Sequence, residues 1–192
     1  MDFPGFGKCG ELREPYSVGD YAEWLYGVMQ ELDLRKPHVI AHSFGCRVAV
    51  KLASRDNDLF DKILLTGPAG VILKRGFTYR ARVWAYRRVK RIFPRWAEKK
   101  FGSAEYRGLS PVMKESYKKI VNEDLRDCAR LVKNRVLIVE GRADTTTPMT
   151  EAKAYLACFA RGKLCEIEGG HFAFAEHPLA FNLIAEEFLY GR

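Results

Sequence analysis

Residues 38–52 read HVIAHSFGCRVAVKL, and they decide the fold. The apolar run at 39–41 predicts a short buried β-strand. From Gly45 onward the apolar residues recur with helical spacing, so a helix follows the strand almost directly. Ser43 lies on the sharp turn between them, where its hydroxyl is held out over the end of the sheet. A helix that doubles back so closely on its strand requires small residues, here Ala41, Gly45 and Cys46.

The rest of the chain alternates helical patterns with short apolar strands, which is typical of a parallel α/β sheet. The predicted strands are 38–42, 62–66, 135–140 and 163–167. One helix is predicted to begin after Ser17, with Asp20 completing a capping box. Further helices are predicted after Ser110, over 148–159 and around 181–188. Sites in such sheets lie beyond the carboxyl ends of the strands.

Two polar residues follow later strands and complete a hydrolytic pattern with Ser43. A serine hydroxyl is a weak nucleophile until an imidazole accepts its proton and a carboxylate orients that imidazole. Asp144 comes just after the strand 135–140, and His171 lies in the Gly169-Gly170 loop after the strand 163–167. We expect the two glycines to make this loop flexible, so that His171 swings toward Ser43.

Each of these residues also has a simpler interpretation when it is considered alone. Ser43 reads equally well as a helix N-cap, Asp144 as a turn or capping residue, and His171 as a loop histidine. His42 and His177 compete as bases, but His42 is expected to point elsewhere and His177 begins a helix. The order Ser, Asp, His, each beyond a separate strand, favours a nucleophile-elbow enzyme.

On these motifs the chain resembles the α/β-hydrolase family, closest to small esterase-like members with a helical cap. DFPGFG at 2–7 is similar to the loop after that family's fourth strand. AHSFGC at 41–46 resembles its nucleophile elbow, GRADTTTP at 141–148 its acid loop, and GGHFAFAEHP at 169–178 its histidine loop. The resemblance implies an α/β-hydrolase fold with a mostly parallel sheet, helices on both faces and a cap insertion. We expect core at 1–68 and 131–192 and cap at 69–130.

The resemblance implies a serine hydrolase that cleaves an ester or related acyl bond, with no cofactor and no metal. The roles are nucleophile for Ser43, general base and acid for His171, orienting carboxylate for Asp144, and oxyanion donor for the Phe44 N–H. The aromatic cap indicates a small, partly apolar substrate. Carbon–carbon and thioester bonds remain alternatives for the same triad, and a catalytically inactive fragment or binding module is an alternative of another class.

Family members carry strands upstream of the loop seen at 2–7, and one of their loops supplies a second oxyanion donor. The sequence therefore predicts an N-terminally truncated domain with impaired activity, because losing one such donor costs about 10²–10³ in rate. It also predicts that the strand leading to Ser43 is an exposed sheet edge that favours self-association.

The composition excludes several other classes of protein. The chain has 192 residues, of which 47% are apolar and 29% charged, with a net charge of +8. No run approaches the roughly 18 apolar residues of a spanning helix, and the N-terminus lacks a secretory signal. The 5 cysteines are scattered with no CxxC pair, which argues against a disulfide framework or zinc site and favours a cytoplasmic protein.

The positive charge is concentrated in one segment. Between Lys74 and Arg107 there are 12 Lys or Arg and 2 Glu, interleaved with aromatic residues. We interpret this segment as the solvated outer face of the cap, with no nucleic-acid partner. A weak contact with anionic membrane surfaces is the alternative.

Overall fold

The structure is a computed structural model, and it describes residues 1–73 and 108–191. Its strands are β1 Val39–His42, β2 Lys62–Thr66, β3 Arg135–Gly141 and β4 Gly162–Ile167. Its helices are α1 Val18–Glu31, α2 Phe44–Ala53, α3 Pro111–Val121, α4 Arg126–Leu131, α5 Met149–Leu156, α6 Ala173–Glu176 and α7 Pro178–Tyr190. The four predicted strands are confirmed to within one residue at either end, whereas α5 ends three residues before the predicted Phe159.

The described residues form two compact units, residues 1–16 with 73 and 108–120, and residues 17–72 with 121–191. The basic segment from Lys74 to Arg107 lies outside the described residues, and so does most of the predicted cap. The division into core at 1–68 and 131–192 and cap at 69–130 therefore stays a prediction.

The larger unit is built on one parallel sheet with the strand order β1-β2-β3-β4. Each strand pairs with the next one along the chain, so all four carboxyl ends lie at the same edge of the sheet. Among the described residues β1 pairs only with β2, and the Ile40 side chain on β1 is 52% exposed. The apolar run predicted a buried strand, whereas β1 is only partly buried. This agrees with the exposed sheet edge that the sequence also predicts, because in the described part of the chain β1 has a neighbour on one side only.

Both faces of the sheet are covered by buried apolar side chains. On one face, Leu64, Leu137 and Val139 pack with Phe181 and Ala185 of α7. The opposite face carries four buried residues of β2 and β3: Ile63, Leu65, Val136 and Ile138. Central strands buried on both faces read as continuous apolar runs, which is why β2 and β3 were visible in the sequence.

Helix α1 begins as its capping pattern predicts. The Ser17 hydroxyl accepts a hydrogen bond from the Asp20 backbone N–H, and the Asp20 carboxylate accepts one from the Ser17 backbone N–H. The helix then buries Tyr21, whose ring packs edge-on against the Phe44 ring with centroids 5.0 Å apart. Through this contact α1 supports the start of α2.

The smaller unit joins the N-terminal residues to α3. The Ser116 hydroxyl accepts a hydrogen bond from the Tyr16 N–H at 2.9 Å, and Lys119 donates to the Pro15 carbonyl at 2.7 Å. Gly5 lies against Met113, where a Cβ on residue 5 would come within 2.4 Å of the Met113 sulfur.

Two isoleucines of the sheet differ in burial, one in the edge strand β1 and the other in the central strand β3. Ile138 is fully buried in β3, and Ile40 is half exposed in β1. We expect Ile138→Ala to lower the free energy of unfolding by about 2–5 kcal/mol, because it leaves a cavity in the core. Ile40→Ala should cost less than half as much, and urea unfolding of both variants measures the difference. Equal losses would show that the edge strand is as well packed as the centre.

Candidate active site

Ser43 occupies the turn between β1 and α2 in a rare backbone conformation. Its φ is +48° and its ψ is −110°, a region that non-glycine residues seldom adopt. Such a conformation costs on the order of 1–3 kcal/mol and persists only where its surroundings hold it. Here the Ser43 N–H donates to the Thr66 carbonyl at 3.1 Å, and the Ser43 carbonyl accepts from the Cys46 N–H at 3.1 Å. These backbone bonds hold Ser43 in its strained conformation, and the side-chain capping bond that an N-cap serine makes is absent.

The close return of α2 along β1 explains the small residues around Ser43. Cys46 is fully buried, and its thiol contacts the Ala41 carbonyl oxygen at 3.2 Å. Burial raises the pKa of the Cys46 thiol far above its ordinary value, so it remains uncharged. A Cβ on Gly45 would lie 3.8 Å from the Ala41 Cβ, an ordinary contact. Position 45 therefore has room for alanine, which is itself a small residue.

Side chains from three separate turns meet beyond the strand ends. The His171 Nε2 lies 3.0 Å from the Ser43 Oγ, and the His171 Nδ1 lies 2.7 Å from the Asp144 Oδ2. The side chain of His171 is 13% exposed and that of Asp144 is fully buried. The three candidates thus form one continuous chain of hydrogen-bonding groups, with the serine at its outer end.

The Asp144 carboxylate is held as an acceptor by the turn that carries it. Its Oδ1 accepts from the N–H groups of Thr146 and Thr147, at 2.7 and 3.0 Å, and its Oδ2 accepts from the Thr147 hydroxyl at 3.0 Å. Burial raises the pKa of Asp144, but the bonds from His171, Thr147 and Thr146 outweigh it and leave the pKa below its ordinary value. Asp144 therefore accepts hydrogen bonds within its own turn and also contacts the His171 ring.

The loop that carries His171 is tied down, which corrects the expectation of a swinging histidine. The Gly169 carbonyl accepts from the Ala143 N–H at 2.9 Å, and the Gly170 N–H donates to the Glu176 carboxylate at 3.0 Å. A Cβ on Gly141 would lie 2.2 Å from the Gly170 carbonyl oxygen. The glycines allow the acid and histidine loops to approach closely, and His171 already faces Ser43.

Gly67 is a part of the site whose role the sequence did not reveal. It follows β2 with a φ of +50°, and a Cβ there would lie 3.0 Å from the His171 Nδ1 and 3.3 Å from the Asp144 Oδ2. Its missing side chain leaves the space in which the imidazole and carboxylate meet. A glycine directly after a strand was the available signal, but it also fits an ordinary turn.

The two competing histidines have other contacts. The His42 Nδ1 is 3.1 Å from the Thr66 carbonyl oxygen, and its ring packs against the His171 ring with centroids 4.7 Å apart. Burial lowers the pKa of His42 below its ordinary value and outweighs the hydrogen bond to Thr66, which acts in the opposite direction. His42 thus packs against His171 directly, contrary to the expectation that it points away. His177 lies between α6 and α7 as the N-cap residue of α7.

Phe44, the predicted oxyanion donor, is the first residue of α2. Its backbone N–H lies at the helix N-terminus, where the helix dipole favours negative charge. Among the described residues, no cluster of three or more His, Cys, Asp or Glu is placed to hold a metal ion. No helix in the described part of the chain is long and apolar enough to cross a membrane.

Comparison with known proteins decides the family. The sequence model of the alpha/beta hydrolase family matches residues 1–182, which is nearly the whole chain. This chain belongs to the alpha/beta hydrolase family. Its parallel sheet and the helices around it are the fold of that family.

Proteins similar to this alpha/beta hydrolase include enzymes with different named activities. A 2-hydroxymuconate semialdehyde hydrolase from Pseudomonas putida is 24% identical over 98% of the chain and 75% of that protein. The solved structure of an esterase from Exiguobacterium antarcticum has a TM-score of 0.73 at 22% identity, covering 96% of this chain and 78% of the other. An uncharacterized protein from Mycobacterium tuberculosis is 31% identical over 70 residues, or 36% of this chain and only 20% of the relative.

The crowded position of Gly67 in this hydrolase generates a test. Gly67→Ala should slow the labelling of Ser43 by a fluorophosphonate probe at least tenfold, because the new methyl displaces His171 and strains the turn. Gly27→Ala is the matched control, since a Cβ there meets nothing within 4 Å and alanine favours the interior of α1. Labelling at the wild-type rate in Gly67→Ala would show that the imidazole tolerates displacement.

Proposed function

We propose that this chain is a serine hydrolase that cleaves an ester or related acyl bond through an acyl-enzyme. The observation that carries the proposal is the unbroken contact from the Ser43 Oγ through His171 to Asp144, with distances of 3.0 and 2.7 Å. The first distance is within the reach that proton transfer from a nucleophile to its base requires. The second joins that base to the carboxylate that orients it.

The first step would form the acyl-enzyme. The His171 Nε2 accepts the Ser43 proton as the Ser43 Oγ attacks the substrate carbonyl, and the carboxylate of Asp144 stabilises the imidazolium that results. The same Nε2 then donates that proton to the leaving alcohol. In the second step His171 activates a water that attacks the acyl group and releases the acid, and Ser43 recovers its proton.

The tetrahedral intermediates carry a negative charge on the former carbonyl oxygen. We assign the Phe44 N–H as a donor to that oxygen, because this amide directly follows the nucleophile at the N-terminus of α2. The position satisfies two requirements together, since the strained turn that presents the Ser43 hydroxyl also aims the positive end of the helix dipole at the same place.

A second candidate is hydrolysis of a carbon–carbon bond in a hydroxy-oxo acid. The match to the 2-hydroxymuconate semialdehyde hydrolase extends over 98% of the chain, further than the 70-residue matches to the mycobacterial proteins. The described residues fit both candidates, because each needs the same serine, base and carboxylate.

Substitution of the three side chains tests the proposal. Ser43→Ala should abolish both labelling by a fluorophosphonate probe and hydrolysis of p-nitrophenyl acetate. Asp144→Asn should lower kcat by about 10⁴, because the imidazole loses its orienting partner and adopts the wrong tautomer. His171→Gln should be similarly inactive, whereas His177→Gln, which changes a histidine outside this chain of contacts, should keep the wild-type rate.

The outcome distinguishes the candidates. An unlabelled Ser43 in the wild-type protein would contradict the proposal and favour an inactive fold or binding module. Labelling without ester turnover, combined with turnover of 2-hydroxymuconate semialdehyde, would favour the second candidate over the first.

A further inference from the structure

Glu140 is a buried carboxyl group beside the proposed triad, and the mechanism above does not use it. It is the penultimate residue of β3, and its exposed fraction is 0%. Among residues 1–73 and 108–191, neither oxygen of its carboxyl group has a hydrogen-bond donor. A buried carboxylate without donors is strongly destabilising, so this group needs a different partner or a different charge.

The carboxyl of Asp144 lies within hydrogen-bonding reach of the Glu140 carboxyl. The turn that joins them is closed by a hydrogen bond from the Asp144 N–H to the Gly141 carbonyl at 3.1 Å. Two ionised carboxylates only repel one another, so a favourable contact between this pair requires one proton.

The surrounding donors decide which of the two carboxyls carries that proton. Asp144 is surrounded by four donor groups: the N–H groups of Thr146 and Thr147, the Thr147 hydroxyl and the His171 Nδ1–H. Glu140 has none among the described residues. Donors stabilise the charged form of a carboxyl, so Asp144 is the anion and Glu140 is the acid.

We propose that Glu140 is a positioning residue of the triad, which carries a proton at neutral pH and donates it in a hydrogen bond to the Asp144 carboxylate. As a result, the two carboxyl groups together carry one negative charge. The Asp144 carboxylate is held with its accepting oxygen toward the His171 Nδ1. This inference rests on the proposed function, because positioning matters only where His171 acts as a base.

The groups that face Glu140 agree with this assignment. Asp144 approaches from the turn after β3, Glu151 from α5 and the uncharged thiol of Cys46 from α2. On the neighbouring strand β4, Glu166 pairs in register with Glu140. Its carboxylate forms ion pairs with Arg142 and Lys153. Burial, followed by the contact with Asp144, raises the pKa of Glu140 to about 8.

Three substitutions separate the proton of Glu140 from its bulk. Glu140→Gln keeps the size and a donor but cannot ionise, and Glu140→Met keeps an apolar side chain without a donor. Glu166→Gln is the matched control, because it removes a carboxyl from the next strand at the same register. The measurements are kcat and KM for p-nitrophenyl acetate and the rate of fluorophosphonate labelling, each from pH 6 to 9.5.

We expect Glu140→Gln to keep kcat within about threefold of wild type at pH 7. Glu140→Met should lower kcat about 10- to 100-fold with KM unchanged, the effect of losing one hydrogen bond to a charged group. The wild-type rate should fall as Glu140 ionises near pH 8, and Glu140→Gln should lack this fall while Glu166→Gln retains it. Wild-type kcat in Glu140→Met, or the same alkaline profile in wild type and Glu140→Gln, would overturn the proposal.

A second measurement does not depend on turnover. The downfield proton resonance of the His171 Nδ1–H reports its bond to Asp144, and it should shift in Glu140→Met and in wild type above pH 8 but not in Glu140→Gln. An unlabelled Ser43 would refute the proposed function alone, whereas an Nδ1–H resonance that ignores these changes would refute the role of Glu140.

Stability gives a third measurement, and its sign follows from the proton count. The pKa of Glu140 is raised from 4.5 to about 8 in the folded chain, so between these values the folded state holds a proton that the unfolded state has lost. Relative to Glu140→Gln, the wild type should therefore lose stability steadily from about pH 5 to pH 8. If the urea midpoints of the wild type and Glu140→Gln differ by the same amount at every pH in this range, Glu140 is ionised in the folded chain. The proposal would then fail.

Discussion

The parallel register of the sheet is the constraint on which the site depends. Because all four strands run the same way, the turns that follow them meet at one edge. Ser43 and Gly67 directly follow β1 and β2, and Asp144 and His171 lie three and four residues beyond β3 and β4. Residues far apart in the chain therefore reach contact through short, constrained turns, and a shift in register between two strands would separate them.

The same edge of the sheet concentrates features that disfavour folding. Ser43 has a strained backbone, and Glu140 is buried with no donor among the described residues. Each feature costs of the order of 1–3 kcal/mol, while a domain has only about 5–15 kcal/mol of net stability. The apolar faces of β2 and β3 offset these terms, so the packed core and the strained site lie on the same strands.

Much of this arrangement follows from local sequence, and the remainder does not. The strands were predicted because buried parallel strands are short apolar runs, and the order of Ser43, Asp144 and His171 brought the three together before any distance was known. Glu140 and Gly67 were missed because their environments come from other elements. In the sequence Glu140 is a polar residue at the end of a strand and Gly67 a turn residue; only the fold places one against Asp144 and the other against His171.

The carboxyl pair shows that the supply of donors, not the residue type, sets the charge of an acid. At the effective dielectric constant of a protein, two like unit charges about 4 Å apart repel by about 4 kcal/mol, which is a large part of a domain's net stability. One proton removes that cost. It must reside on Glu140, because a proton on Asp144 would leave the amides of Thr146 and Thr147 and the ring of His171 without an anion to bind. The threonine turn thus fixes the charge of both acids.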